Sequence, residues 1–145
     1  MTEWTVGANY VYLAGPIDEC SIEESTAWRQ DAKKLLTSCV CLDPMDRPFT
    51  HHQAFVTHQR PLVALDKRDI RLSDFILANV WKKGFGTPME LVYGYEVLDN
   101  IIVATVWPED MGPVNPWVLE HSHVIHATVP DACRWIENVV NRRMS

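Results

Sequence analysis

The sequence has no run approaching the ~20 apolar residues needed to cross a bilayer, so no membrane-spanning helix is expected. Its first ten residues hold no basic stretch followed by an apolar one, so no secretory signal is read and a cytoplasmic location is expected. An excess of cations is also missing. Thirteen Lys and Arg stand against 19 Asp and Glu, a formal net charge of -6, which argues against a nucleic-acid backbone as partner. A single small phosphorylated ligand needs only one or two local cations and stays open. Cysteine is sparse: Cys20, Cys39, Cys41 and Cys133 are read as reduced thiols. A C-x-C pair with no second paired motif is not a zinc-binding pattern, so no metal is expected. The six glycines include neither the three of a dinucleotide fingerprint nor a P-loop followed by lysine, and no cofactor is expected.

What is present fits one globular domain spanning 1–145. The apolar fraction is 47%, and the length matches a single hydrophobic core. Short β-like runs alternate with longer helical ones. Residues 9–14 (NYVYLA) read as a strand closed by Gly15-Pro16. Residues 21–36 read as a helix opened by a capping box of Ser21 and Glu24. A second strand is predicted over 38–42, a long polar loop over 46–60, and a helix over 61–72 with Pro61 in its first turn. Residues 74–80 (DFILANV) form a nearly continuous apolar strand, typical of a parallel sheet covered on both faces. A helix over 87–98, a strand over 100–106, a short strand over 124–129 and a helix over 130–142 complete the chain. This order predicts an α/β doubly wound sandwich with a mostly parallel five-stranded sheet. Ligands of such sheets sit at the carboxyl ends of the strands, which singles out the loops 15–20, 43–60, 81–87 and 107–123.

Three segments carry candidate chemistry. In Gly84-Phe85-Gly86-Thr87-Pro88-Met89-Glu90, Thr87 suits an N-cap and Glu90 follows it by three residues. One reading makes Glu90 the second half of a capping box. The other uses the position after a buried strand. There, a carboxylate in the first helical turn is held as the anion by the helix dipole and suits attack on an anomeric carbon. In the segment 66–74, Asp66 and Asp69 lie one turn apart, so one of them can face the strand edges. Asp74, at the start of a strand, reads as an acceptor for loop amides. In Tyr12-Leu13-Ala14-Gly15-Pro16-Ile17, Gly15 lets the backbone approach a ligand.

Together, YLAGPI, the D-x3-I-x2-SD segment and GTPMELVYGYE resemble the nucleoside 2-deoxyribosyltransferase family, whose superfamily includes nucleoside 5'-monophosphate N-glycosidases. The resemblance runs over about residues 10–106, with the motifs in the same order. It implies a flavodoxin-like sheet and a homodimer or higher homo-oligomer with shared active sites. It also implies a nucleoside or nucleotide as substrate and Glu90 as the nucleophile. Asp66, eight residues before Asp74, takes the place of the acid that positions the nucleophile and moves a proton on the leaving base, with Asp69 as the fallback. Gly15, Pro16, Ile17 and Asp18 match the loop that lines the sugar or 5'-phosphate.

Gly84 departs from the pattern, since transferases tend to carry aspartate at this point and the monophosphate hydrolases serine. Arg47, Lys82 and Lys83 then become candidates for a phosphate contact, and His51 and His52 share the polar loop with Arg47. Phe85, Trp28 and Trp81 are candidates to stack on a base, Phe85 first because it belongs to the loop that also contains Gly86, Thr87 and Met89. Ser122 and His123, with His121, fall where the family contributes residues to a neighbouring site. The activity expected is cleavage of an N-glycosidic bond through a glycosyl-Glu90 intermediate passed to water or to another base. The rival expectation is a catalytically silent nucleotide-binding sensor on the same fold.

Overall fold

A computed structural model describes residues 7–48 and 57–145. The five strands are β1 (Asn9–Ala14), β2 (Cys39–Leu42), β3 (Phe75–Asn79), β4 (Ile102–Val106) and β5 (Val124–His126). All neighbouring pairs are parallel and the sheet order is β2-β1-β3-β4-β5. This is the flavodoxin-like order, and it makes the sheet wholly parallel rather than mostly so. The helices are α1 (Ile22–Leu35), α2 (Gln59–Arg71), α3 (Gly86–Val97), α4 (Pro116–Glu120) and α5 (Val129–Met144).

Alternation along the strands separates two cores. Val11, Leu13, Phe75, Leu77, Ala104 and Val106 meet Ala32 of α1 and Ala132, Cys133, Ile136 and Val140 of α5. Their strand neighbours Tyr10, Tyr12, Ala14, Ile76, Ala78 and Val103 meet Ile70 of α2, Leu91 of α3 and Val118 of α4 on the other face. Asp74 is the acceptor expected of it: its Oδ2 takes the Tyr10 amide at 2.9 Å and ties the start of β1 to that of β3.

The capping box at Ser21 and Glu24 forms in both directions. The one expected at Thr87 and Glu90 does not. Helix α3 starts one residue earlier, at Gly86, so Thr87 lies inside the first turn with its side chain buried, and no side chain caps this helix. Helix α2 likewise starts at Gln59, with Pro61 still within its first turn. Three short elements break the expected loops, one of them a 3-10 turn over Glu109–Met111. Another 3-10 turn spans Pro44–Asp46, and α4 is opened by Asn115, whose side chain caps Trp117 N, followed by Pro116. Among the described residues, no helix is long and apolar enough to cross a membrane. His51 and His52 lie outside the described residues.

Candidate active site

Strand order reverses between β1 and β3, because the chain leaves β1 toward β2 and leaves β3 toward β4. The crevice at the carboxyl ends of these two strands is where ligands of such sheets bind. A cavity of about 630 Å³ opens there, lined by the end of β1 and its loop, by α2 and by the start of α3.

Glu90 reaches this cavity through helix periodicity. Thr87, Leu91 and Gly94 form the buried stripe of α3, and Glu90 falls on the same side of the helix. Gly94 lets that stripe close on the sheet, since a Cβ there would stand 2.5 Å from Ile76 Cδ1. A carboxylate thus occupies a position where the packing asks for an apolar side chain. Tyr12 arrives from β1 at the corresponding depth. Its ring is 1% exposed, and its hydroxyl donates to Glu90 Oε2. A buried phenol needs such a partner.

The environment works against charge on this pair. Burial first, and then the nearby Asp66, push the Glu90 carboxyl up to about 8, opposed by the Tyr12 hydrogen bond and by Arg29 and Arg47. Burial, with Glu90 and Asp66 alongside, also pushes the Tyr12 phenol well above its ordinary value. The helix-dipole argument for an anion at Glu90 is therefore opposed by desolvation and by the neighbouring Asp66.

Asp66 lines the cavity and its Oδ1 accepts from Arg47 Nη1 at 2.7 Å. Asp69 does not line it. Its Oδ2 accepts from Arg47 Nη2 at 3.1 Å and its Oδ1 from Arg68. Arg47 itself is outside the lining, its fork divided between the two aspartates, so the expected phosphate contact has other employment. Lys82 is engaged as well: its Nζ reaches the Glu19 carbonyl at 2.6 Å and steadies a left-handed residue (φ 57°) in the loop after β1. Lys83 does line the cavity.

The other expected residues divide cleanly. Gly15, Pro16, Ile17, Asp18, Gly84, Phe85, Gly86, Thr87 and Met89 all line the cavity. Phe85 and Met89 stand at the mouth, 89% and 69% exposed. Glycine at position 15 also has a packing reason: a Cβ there would stand 2.6 Å from Trp28 Cζ2, so the small residue admits the Trp28 ring of α1. Trp81 is outside the lining. Ser122 and His123 are also outside this chain's own cavity. Ser122 Oγ bonds Thr105 Oγ1 and the Val118 carbonyl, and His123 Nδ1 accepts the Val103 amide.

Two contributors were not singled out from the sequence as site residues. Tyr12 had a signal, as a tyrosine on the same strand face as Tyr10 and Ala14, two residues from the strand end. Arg29 had none, because a lone arginine in an amphipathic helix reads as solvated, yet it is fully buried against the cavity. The cysteines play no part here. Burial, ahead of the neighbouring Glu137, pushes Cys39 up to about 12 and leaves it an inert thiol.

No family model matches the chain, and no curated protein matches it. Among solved structures, it is similar to a conserved protein from Enterococcus faecalis V583, at 14% identity and a TM-score of 0.57, over 94% of this chain and 99% of that one. Such a likeness speaks for the fold alone.

Proposed function

We propose that the protein cleaves the N-glycosidic bond of a nucleoside, with Glu90 as nucleophile. The observation that carries this reading is the pairing of the buried Tyr12 with the half-buried Glu90 on the wall of a ligand-sized cavity, with Asp66 on the same wall. Ionised Glu90 attacks the anomeric carbon as the bond to the base breaks, and Asp66 handles the proton on the leaving base. The glycosyl-Glu90 ester then passes to water, giving free sugar, or to a second base, giving an exchanged nucleoside. Because burial opposes the carboxylate, the reactive form grows as the pH rises through about 8.

The lining favours a nucleoside over its 5'-monophosphate. Four acids, Asp18, Glu19, Asp66 and Glu90, stand against three cations, Arg29, Lys67 and Lys83. Arg29 is committed to main-chain carbonyls and Lys67 lies over the Tyr93 ring, which leaves Lys83 alone to face a phosphate. We extend the reading to a homo-oligomer that shares its sites. Its support is that Ser122 and His123 lie away from their own cavity, near the exposed Trp117 and Leu119.

The test is incubation with each nucleoside and each 5'-monophosphate between pH 6 and 10, following free base by chromatography. Base release that disappears in Glu90→Gln supports the reading, and a second free base separates transfer from hydrolysis. The sensor reading draws on the same carboxyl, since a protonated Glu90 is a poor nucleophile at neutral pH. Tight nucleotide binding without base release at any pH in that range would establish the sensor instead.

A further inference from the structure

Arg29 is the largest fully buried side chain in the described structure, and it carries a charge. Its fork is divided among main-chain carbonyls. Nε donates to Leu13 O at 3.3 Å, Nη2 to Gly15 O at 3.0 Å and Nη1 to Ser25 O at 2.6 Å. Two of these acceptors belong to the end of β1 and the turn that floors the cavity. The guanidinium also lies over the Trp28 ring, 4.6 Å from its centroid, and that ring fills the space left by Gly15.

Arg29 has a partner, but not one to itself. Asp43 Oδ1 is 3.5 Å from Arg29 Nε, while Asp43 Oδ2 is 2.7 Å from Lys33 Nζ. One carboxylate is therefore shared by two cations, and the buried one is only partly compensated. Burying a cation costs several kcal/mol, and neutral side chains hold a turn more cheaply. A charge retained at this depth suggests work beyond holding the turn.

Arg29 of α1 and Glu90 line the same cavity, and Glu90 is bonded by Tyr12 of β1, the residue before Leu13, whose carbonyl Arg29 holds. Asp66 of α2 lies on the same wall with Arg47, from the loop after β2, bonded to it, so Glu90 has one acid and two cations around it. Arg47 is divided between Asp66 and Asp69, whereas Arg29 gives its N–H groups to carbonyls and shares Asp43 with Lys33, which leaves part of its charge to act on the cavity.

We propose that Arg29 is a positioning residue of this site, whose fork sets the Leu13–Gly15 turn and whose buried charge makes an ionised Glu90 attainable. This rests on the reading of Glu90 as the reacting carboxylate, yet it has a readout that needs no turnover. Uniformly [5-13C]glutamate-labelled protein reports each carboxyl titration, and the Glu90 signal is the one missing from Glu90→Gln.

Arg29→Gln keeps hydrogen-bond donors and removes the charge. Its Glu90 midpoint is expected to move up by a pH unit or more, and the rising limb of kcat/KM to move with it. Arg29→Lys keeps the charge without the fork. It is expected to hold the midpoint within a few tenths of a unit while KM rises about tenfold. Asp43→Asn, which retains an acceptor for Met45 N, leaves Arg29 less compensated and is expected to move the midpoint down. If Arg29→Gln does not fold, Asp43→Asn decides. A folded Arg29→Gln, or failing that a folded Asp43→Asn, with an unmoved Glu90 midpoint would reduce Arg29 to a structural prop. Wild-type protein that releases no base would sink the enzyme reading while the titration still judged Arg29.

Discussion

The two faces of the sheet are built from the same strands and obey different rules. On the side of α1 and α5, Val11, Leu13, Phe75 and Leu77 meet Ala132, Cys133, Ile136 and Val140, and the buried charge of α1, Arg29, is bonded to main-chain carbonyls at the end of β1. On the side of α2 and α3, the alternate residues of those strands include Tyr12, and the helix that covers them brings Glu90 into the same layer. A carboxyl and a phenol in a layer that is otherwise apolar are a local conflict with good packing. Such conflicts gather where a protein does chemistry. The first face is there to be stable, and the second gives up part of that stability.

Exchanging Glu90 for glutamine breaks the comparison most severely. Base release is expected to fall by on the order of 10⁴-fold, read from single-turnover assays, because an amide cannot form the ester. Stability is expected to move the other way. The folded Glu90 carboxyl holds its proton up to about pH 8 against an ordinary value of 4.5, so the native state loses stability as the pH climbs from about 4.5 to 8. Glu90→Gln escapes that loss. Denaturant melts should agree at pH 4 and favour the variant by on the order of 2 kcal/mol at pH 9, discounted for the opening of the site to solvent. A variant that is less stable than the parent at pH 9 would contradict the assigned conflict.

Next comes the dry face. Ile136→Ala removes a fully buried side chain from α5 and is expected to cost about 2–5 kcal/mol in urea unfolding, while kcat per folded molecule stays within a factor of two. A large change in kcat there would mean that the two faces are coupled.

Tyr12→Phe is a smaller step. It keeps the ring and removes one hydrogen bond to Glu90, and a loss of about 10- to 100-fold in kcat is expected. Because that bond opposes the rise in the Glu90 pKa, the rising limb of the pH–rate profile should move above 8.

The smallest effect belongs to the cavity mouth. Phe85→Ser alters an almost fully exposed side chain, so stability is expected to change by less than about 0.5 kcal/mol. KM is expected to rise severalfold if the ring receives a base. An unchanged KM for every nucleoside would remove Phe85 from the site.

Much of the fold was legible because its signals are local. The runs at 9–14 and 74–80 read as strands and proved to be the central pair, β1 and β3. Ser21 and Glu24 read as a capping box and form one. Helix α4 went unread, since five residues carry too little periodicity, although Asn115-Pro116 marks its start. In the site, the loops at 15–18 and 84–89 were legible because strand ends in a parallel sheet point at the ligand. Arg47 and Asp69 were not, because which cation meets which carboxylate depends on side chains from segments far apart in the chain.

The sequence alone therefore determined the order of elements, the separation of the two faces and the placement of Glu90 on the edge where ligands bind. Periodicities of 2 and 3.6 and the turn residues carry all of these. Only the tertiary structure decided that Glu90 is no helix cap, that its partner is Tyr12 and that a buried arginine stands behind them. Desolvation and charge proximity are properties of packed neighbours, and no spacing along the chain encodes them.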